Sequence, residues 1–302
     1  MIILNFEFRQ NLELSSASVL QLVRRIPKQT LIRAGNKIHP VISGMSYNSA
    51  RDELFIADWS NRVVRAMRVR DNACDLRDVY SASLVFSVCH MSDSDMLLVC
   101  SYEVGPDKLL ANWLVALSRN GSEWRETQRV QTDGDRDISC ALSDSRVLIG
   151  ERRSTYMELF RVESGPRIAR VHRIYVLKRY RWFSAMCSSD TLVAMSYDKD
   201  EYVLVHRLRG DRLEELARIQ LKIPDKLVWL ADRLLVAESN DYHYYSQPHA
   251  VIELEVSDTR LERRRELIAT SENISVKSLC ALNEGLAIFD EKTSDILHYS
   301  FA

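Results

Sequence analysis

The sequence predicts an all-β fold, a closed ring of six four-stranded sheets, and three observations predict it. First, an apolar run ending in a small polar or acidic residue recurs at "LFIAD" (54–58), "LLVCS" (97–101), "VLIGE" (147–151), "LVAMS" (192–196), "LLVAE" (234–238) and "LAIFD" (286–290). Successive copies start 42 to 52 residues apart, the repeat length of a unit holding four short strands. Second, a shorter segment precedes each run, and five of the six copies carry serine third: Ser43, Ser87, Ser139, Ser184 and Ser278. Third, an alternating apolar run and then a charged segment follow the copies in order. Four short strands in each of six such repeats is the pattern of a six-bladed β-propeller.

Each element follows from its place in the repeat. The leading segments, "VISGM" (41–45), "VFSVC" (85–89), "DISCA" (137–141), "WFSAM" (182–186), "LVWLA" (227–231) and "VKSLC" (276–280), read as the innermost strands, packed close to the axis. The second strands are the apolar runs. The third are "RVVRAMRV" (62–69), "WLVALS" (113–118), "YMELFRV" (156–162), "YVLVHRL" (202–208) and "VIELEV" (251–256); second and third strands buried on both faces read as near-continuous apolar runs. The fourth, such as "RETQRVQ" and "RIARVHRI", carry charge that protects an outer edge from pairing with another chain. "RLEELARIQL" and "RLERRRELI" also have helical spacing, and their repeat position argues for strands. The last unit ends with its third strand, "DILHYSFA", while "SVLQLVRRIP" (18–27) reads as a fourth strand with no unit before it. Pairing the two closes the ring and removes two open edges. Residues 1–302 then form one domain, with blades at about 40–82, 83–133, 136–178, 180–224, 226–270 and 273–302; "MIILNFEF" has no assigned place.

Composition bounds the function. With 46% apolar and 27% charged residues the chain is an ordinary globular one, and a net charge of -1 gives no global attraction to nucleic acid or an anionic membrane. No apolar run is long enough to span a bilayer, and the start makes a poor signal peptide. The six cysteines are far apart, and four (Cys89, Cys100, Cys140, Cys280) sit inside apolar runs as small core residues do. Buried thiols in a reducing compartment, cytoplasm or nucleus, are expected.

"ELFIADWSNRVVRAM" resembles the repeat of NHL and YWTD-type six-bladed propellers, in which an aspartate ends the second strand and an asparagine follows in the turn. Asp58 and Asn61 hold those positions, and "LAIFDEKTSDILHY" echoes them with Asp290. Elsewhere Glu151 and Glu238 stand for the aspartate, and Ser101 and Ser196 replace it. No WD dipeptide closes the third strands. Because the acidic position recurs around the ring, Asp58 is expected to cap its turn by accepting backbone N–H bonds, worth about 1 kcal/mol.

Candidate site residues gather on the face formed by the loops after second and fourth strands. Just past the second strands come Trp59, Tyr102, Arg152 and Tyr197, side chains suited to a binding surface. The long loop "ESNDYHYYSQPHA" (238–250) adds Tyr242, Tyr244 and Tyr245, and "VLKRYRW" (176–182) adds Lys178, Arg179 and Arg181; exposed loops on a rigid scaffold commonly carry recognition. The first expectation is a non-enzymatic scaffold that binds a protein or peptide. The resemblance implies two alternatives. NHL-like propellers in some families bind RNA through a basic face, here Lys178, Arg179, Arg181 and Arg152. Six-bladed lactonases hold a divalent ion with Glu, Asn and Asp, types that Glu151, Glu238, Asp290, Asn240 and Asp58 supply. No G-x-S-x-G, H-E-x-x-H or P-loop is present, and His243 and His249 lack a third clustered ligand for structural zinc. No cofactor, metal, membrane or DNA is expected.

Overall fold

The computed structural model describes residues 20–32, 38–69, 76–104, 110–132, 137–142, 145–151, 156–163, 167–175, 183–189, 191–239, 247–257 and 260–301, with the backbone alone at 104, 110, 137–141, 151, 175 and 183. Strand β1 (Leu20–Ile26) opens the described chain and is followed by a one-turn helix, α1 (Lys28–Leu31). Blade 1 comprises β2 (Ile42–Asn48), β3 (Glu53–Asp58), β4 (Val63–Arg68) and β5 (Arg77–Ser81). Blade 2 comprises β6 (Leu84–Met91), β7 (Met96–Val104), β8 (Leu110–Asn120) and β9 (Glu123–Thr132). Blade 3 comprises β10 (Asp137–Ala141), β11 (Arg146–Glu151), β12 (Tyr156–Glu163) and β13 (Arg167–Tyr175). Blade 4 comprises β14 (Phe183–Ser189), β15 (Leu192–Tyr197), β16 (Tyr202–Arg209) and β17 (Arg212–Gln220). Blade 5 comprises β18 (Pro224–Leu230), β19 (Arg233–Ser239), β20 (His249–Val256) and β21 (Leu261–Ile268). Blade 6 comprises β22 (Val276–Leu282), β23 (Gly285–Asp290) and β24 (Asp295–Phe301), with β1 as its outer strand.

All six sheets are antiparallel meanders, and the innermost strand of each contacts those of both neighbours, β22 returning to β2. The molecule is a six-bladed β-propeller. Closure is as the sequence predicts: β1 pairs β24 from Leu20 opposite Phe301 to Ile26 opposite Ile296. The two segments with helical spacing are the strands β17 and β21, each paired antiparallel with the third strand of its blade.

The core lies between blades. Six buried clusters each join one sheet to the next, and one of them packs Ile26, Ile42, Ile56, Leu282, Phe289 and Ile296 across the seam where blade 6 meets blade 1. Every residue of β3 and β23 is buried, because a second strand is covered on both faces by neighbouring blades. Each fully buried Val, Leu or Ile stabilises by about 1.5–3 kcal/mol. Cys89, Cys100 and Cys280 lie in these clusters, and burial pushes the Cys280 thiol up to about 12. Leu31 of α1, an element with no counterpart in the sequence pattern, plugs the seam at 1% exposure.

The repeated hairpins have a common turn geometry. Asp52, Asp95 and Ser145, each just before a second strand, adopt positive φ (55°, 46° and 57°), as do Arg62, Glu201 and Ser294 just before third strands (59°, 59° and 60°). Gly121 and Gly210 take the same conformation between third and fourth strands, where glycine carries no Cβ penalty.

The serine register needs correction. Five of the six innermost strands contain a bulge, where register skips Ser43, Phe86, Ser184, Asp225 and Lys277. Only Ser43 and Ser184 among the recurring serines occupy it; Ser87 and Ser278 sit one residue later, opposite Cys100 and Phe289. In blade 5 the strand begins at Pro224, so "LVWLA" is out of register with the other leading segments. Proline is tolerated there because a strand's first residue need not donate to the ladder.

Candidate functional site

The bulges place one non-ladder residue in each of five blades near the mouth of the ring, on the side of the loops after second and fourth strands. In blades 1 and 4 that residue ties two blades together. Ser43 Oγ donates to Val85 O at 3.2 Å, and Ser184 Oγ to Pro224 O at 3.1 Å. In blade 2 it is Phe86, half-buried, whose ring meets Tyr102 edge-on with centroids 6.0 Å apart and planes at 76°. Trp59 stands in the neighbouring turn of blade 1 and is 41% exposed. In blades 5 and 6 the bulge residues are charged and paired locally. Asp225 Oδ1 lies 2.7 Å from Lys226 Nζ, and Lys277 Nζ lies 3.0 Å from Glu291 Oε1. The described mouth is therefore aromatic at blades 1 and 2 and zwitterionic at blades 5 and 6.

On the outer strand of blade 2 a partly exposed guanidinium sits between two carboxylates. Arg129 of β9 pairs with Glu103 at 2.9 Å and Glu126 at 2.6 Å, and its guanidinium lies 5.7 Å from the centre of the Trp113 ring. The stacked guanidinium and the edge-on aromatic pair fix the ring positions of Trp113, Phe86 and Tyr102.

Asp58 has the structural role the sequence predicts, and more. Its Oδ1 accepts the N–H of Asn61 at 3.1 Å and of Val41 at 3.4 Å and the Ser60 hydroxyl at 2.9 Å, while Oδ2 accepts Asn61 Nδ2 at 2.7 Å. The additional partner is Arg65, 2% exposed, whose NH1 donates to Asp58 Oδ2 at 3.0 Å and to Leu31 O at 2.5 Å. Asp290 repeats the cap with the N–H of Ser275 and Lys292 and the Thr293 hydroxyl. Glu238 accepts Lys222 N–H at 2.9 Å and pairs with Arg263 at 2.9 Å. All three carboxylates accept N–H bonds within the fold, and Asp58 and Glu238 also pair with an arginine of the same blade. No three His, Cys, Asp or Glu side chains gather to hold a metal among the described residues.

The predicted site residues divide three ways. Trp59 and Tyr102 lie on the mouth. Tyr197 does not: it is 1% exposed, packed between blades 3 and 4 with its hydroxyl 3.5 Å from Met195 Sδ. Both tyrosines lie within their second strands rather than past them, and it is the packing of Tyr197 into the cluster between blades 3 and 4 that takes its side chain off the rim. Arg152, Lys178, Arg179, Arg181, Tyr242, Tyr244 and Tyr245 lie outside the described residues, as do Asn240 and His243. His249 is buried, and its Nδ1 accepts Val276 N–H at 3.2 Å, a job inside the fold. Phe86 and Trp113 escaped sequence reasoning. Phe86 lies in a leading strand where small residues were expected, and only the bulge frees its ring.

No protein-family model matches the chain, and no curated protein matches it. Solved structures match its fold. A chain of the mitotic checkpoint complex superposes with a TM-score of 0.59 at 10% identity, covering 100% of this chain and 99% of that one. A chain of a nidogen/laminin complex gives 0.60 at 8% identity, covering 88% and 98%. Virginiamycin B lyase from Staphylococcus aureus gives 0.55 at 10% identity, covering 94% and 100%. At such identities the likeness is one of fold, and at that level the resemblance to NHL and YWTD-type propellers holds. Among the described residues no helix is long and apolar enough to cross a membrane.

Proposed function

We propose that the protein is a non-catalytic interaction module that grips an extended segment of a partner protein across the mouth of the ring. The observation that carries this reading is the aromatic sector of Trp59, Phe86 and Tyr102, which stands outside the interblade core on two adjacent blades. Large rigid rings give contact area at low entropic cost and are enriched among residues that dominate binding energy. The charged pairs Asp225–Lys226 and Lys277–Glu291 complement it by orienting polar groups of an extended chain. Two structures of similar fold come from protein complexes, which accords with this use of the scaffold.

Peptides selected from a random display library on the immobilised protein test the reading. Binding to the Trp59→Ala/Tyr102→Ala variant should weaken about thirtyfold, as expected for a central hot spot, with the melting temperature within a few degrees of wild type. Selected peptides that bind both proteins equally would place recognition elsewhere. The RNA alternative predicts instead an affinity for single-stranded RNA that falls steeply with salt.

A further inference from the structure

On the opposite face blades 1 and 2 enclose a cavity of about 260 Å³ lined by Arg51, Glu53, Met67, Arg68, Arg77 and Arg119. Four guanidiniums face one carboxylate. Glu53, whose side chain is 6% exposed, shares that carboxylate between two of them: Oε1 accepts from Arg77 NH2, and Oε2 from Arg119 NH1 at 2.8 Å. One negative charge between two positive ones leaves an excess cation at the wall. Both arginines are also fixed from behind. Arg119 Nε donates to Gly121 O at 3.1 Å and its guanidinium lies 5.4 Å from the centre of the Trp124 ring, while Arg77 NH1 donates to Ser122 O at 3.3 Å.

The rim adds charge of both signs. Arg68 stands directly across the ladder from Glu53. Arg51, its side chain 51% exposed, pairs with Asp95 at 3.2 Å, and Asp52 accepts the Tyr47 hydroxyl at 2.6 Å. Counting the described lining residues together with Asp95 and Asp52, positive charge exceeds negative by one. Pre-oriented, planar guanidiniums match the oxygens of a phosphate bidentately, and an arginine cluster is the usual receptor for a phosphorylated side chain. The volume is below the roughly 300–1,000 Å³ of small-molecule sites, and its only apolar lining residue is Met67. It suits a phosphoryl group on a short stem, and none of its described lining residues is aromatic. We propose that this cavity binds a phosphorylated serine or threonine presented by a partner protein, independently of the aromatic mouth.

The test uses the whole chain and the probe acetyl-Gly-Gly-pSer-Gly-Gly-amide. Titration should shift the Arg77 and Arg119 Nε–Hε resonances, and the unphosphorylated peptide should leave them in place. The Arg51→Gln/Arg68→Gln variant, altered at exposed positions, should bind at least about tenfold more weakly with an unchanged melting temperature. Trp59→Ala/Tyr102→Ala should bind the probe as wild type does, which separates this site from the mouth. Equal shifts from both peptides, or unchanged affinity in the arginine variant, would overturn the proposal. So would inorganic phosphate binding as tightly as the peptide, which would assign the cavity to the free ion. A ten-nucleotide oligouridylate that binds more tightly through the same resonances would make it part of an RNA track instead.

Discussion

Asp58 and Arg65 form a buried pair at 0% and 2% exposure, and the second member changes what the first is worth. A capping carboxylate alone contributes about 1 kcal/mol. Removing one partner of a buried ion pair costs about 3–5 kcal/mol, because the remaining charge stays desolvated. Asp58→Asn keeps an oxygen for the Asn61 N–H but takes the charge from Arg65, which retains only Asp78, 3.2 Å from its Nε. We expect a loss of about 3 kcal/mol in urea denaturation, at the low end of the range for a broken buried pair. A loss below about 1 kcal/mol would show that Asp78 alone neutralises Arg65. The cap was legible because aspartate and asparagine stand three residues apart after an apolar run. The pair was not: Arg65 sits in an alternating run, where an arginine reads as solvent-facing, and only a blade packed on both sides reveals its burial. The same blindness to a covered face hid Tyr197, which a residue count places on the rim and packing between blades 3 and 4 takes into the core.

The strands themselves were legible because their periodicity is set by burial, which the repeat imposes six times. Where local packing overrides the repeat, the pattern fails, as at α1 and at the proline start of β18. The closing strand β1 shows what one element contributes. It supplies Leu20 and Ile26 to two interblade clusters and, through Arg24 NH1, a bond to Val69 O at 2.9 Å on blade 1. Just past its end, Lys28 N–H reaches Asp295 Oδ1 at 2.8 Å. Two buried aliphatic side chains correspond to about 3–6 kcal/mol, and β24 would be left as an unpaired edge. Truncation to a chain starting at Pro27 should lower the denaturation midpoint accordingly and promote association through β24. A synthetic peptide of residues 18–27 added in trans should restore it. An unchanged midpoint would mean that the ring holds without its clasp.

At the scale of the whole ring, every interblade cluster is shared, so a perturbation in one blade is felt by its neighbours and ultimately by closure. Histidines distributed over four blades make this pH-dependent. Burial lowers the pKa of His90 in blade 2, His249 in blade 5 and His298 in blade 6, and pushes His206 in blade 4 down to about 4. An unfolded histidine titrates near 6.5. As pH falls below that value the unfolded chain takes up protons that the folded ring refuses, so stability is intact above about pH 6.5 and declines until His206 itself titrates near pH 4. For His206 the loss at pH 4 is on the order of 3 kcal/mol. His90 contributes less, since Asp95 Oδ1 lies 3.2 Å from its Nε2 and favours the charged ring. Melting temperatures of the wild type and His206→Gln, compared from pH 7.5 to 4.5, separate this term from the carboxylates common to both. The variant should gain on the wild type steadily below pH 6.5, with one cooperative transition at each pH. A difference that stays constant across the range would mean that His206 is protonated or solvated in the folded ring, and that the interblade core of blade 4 is open to water.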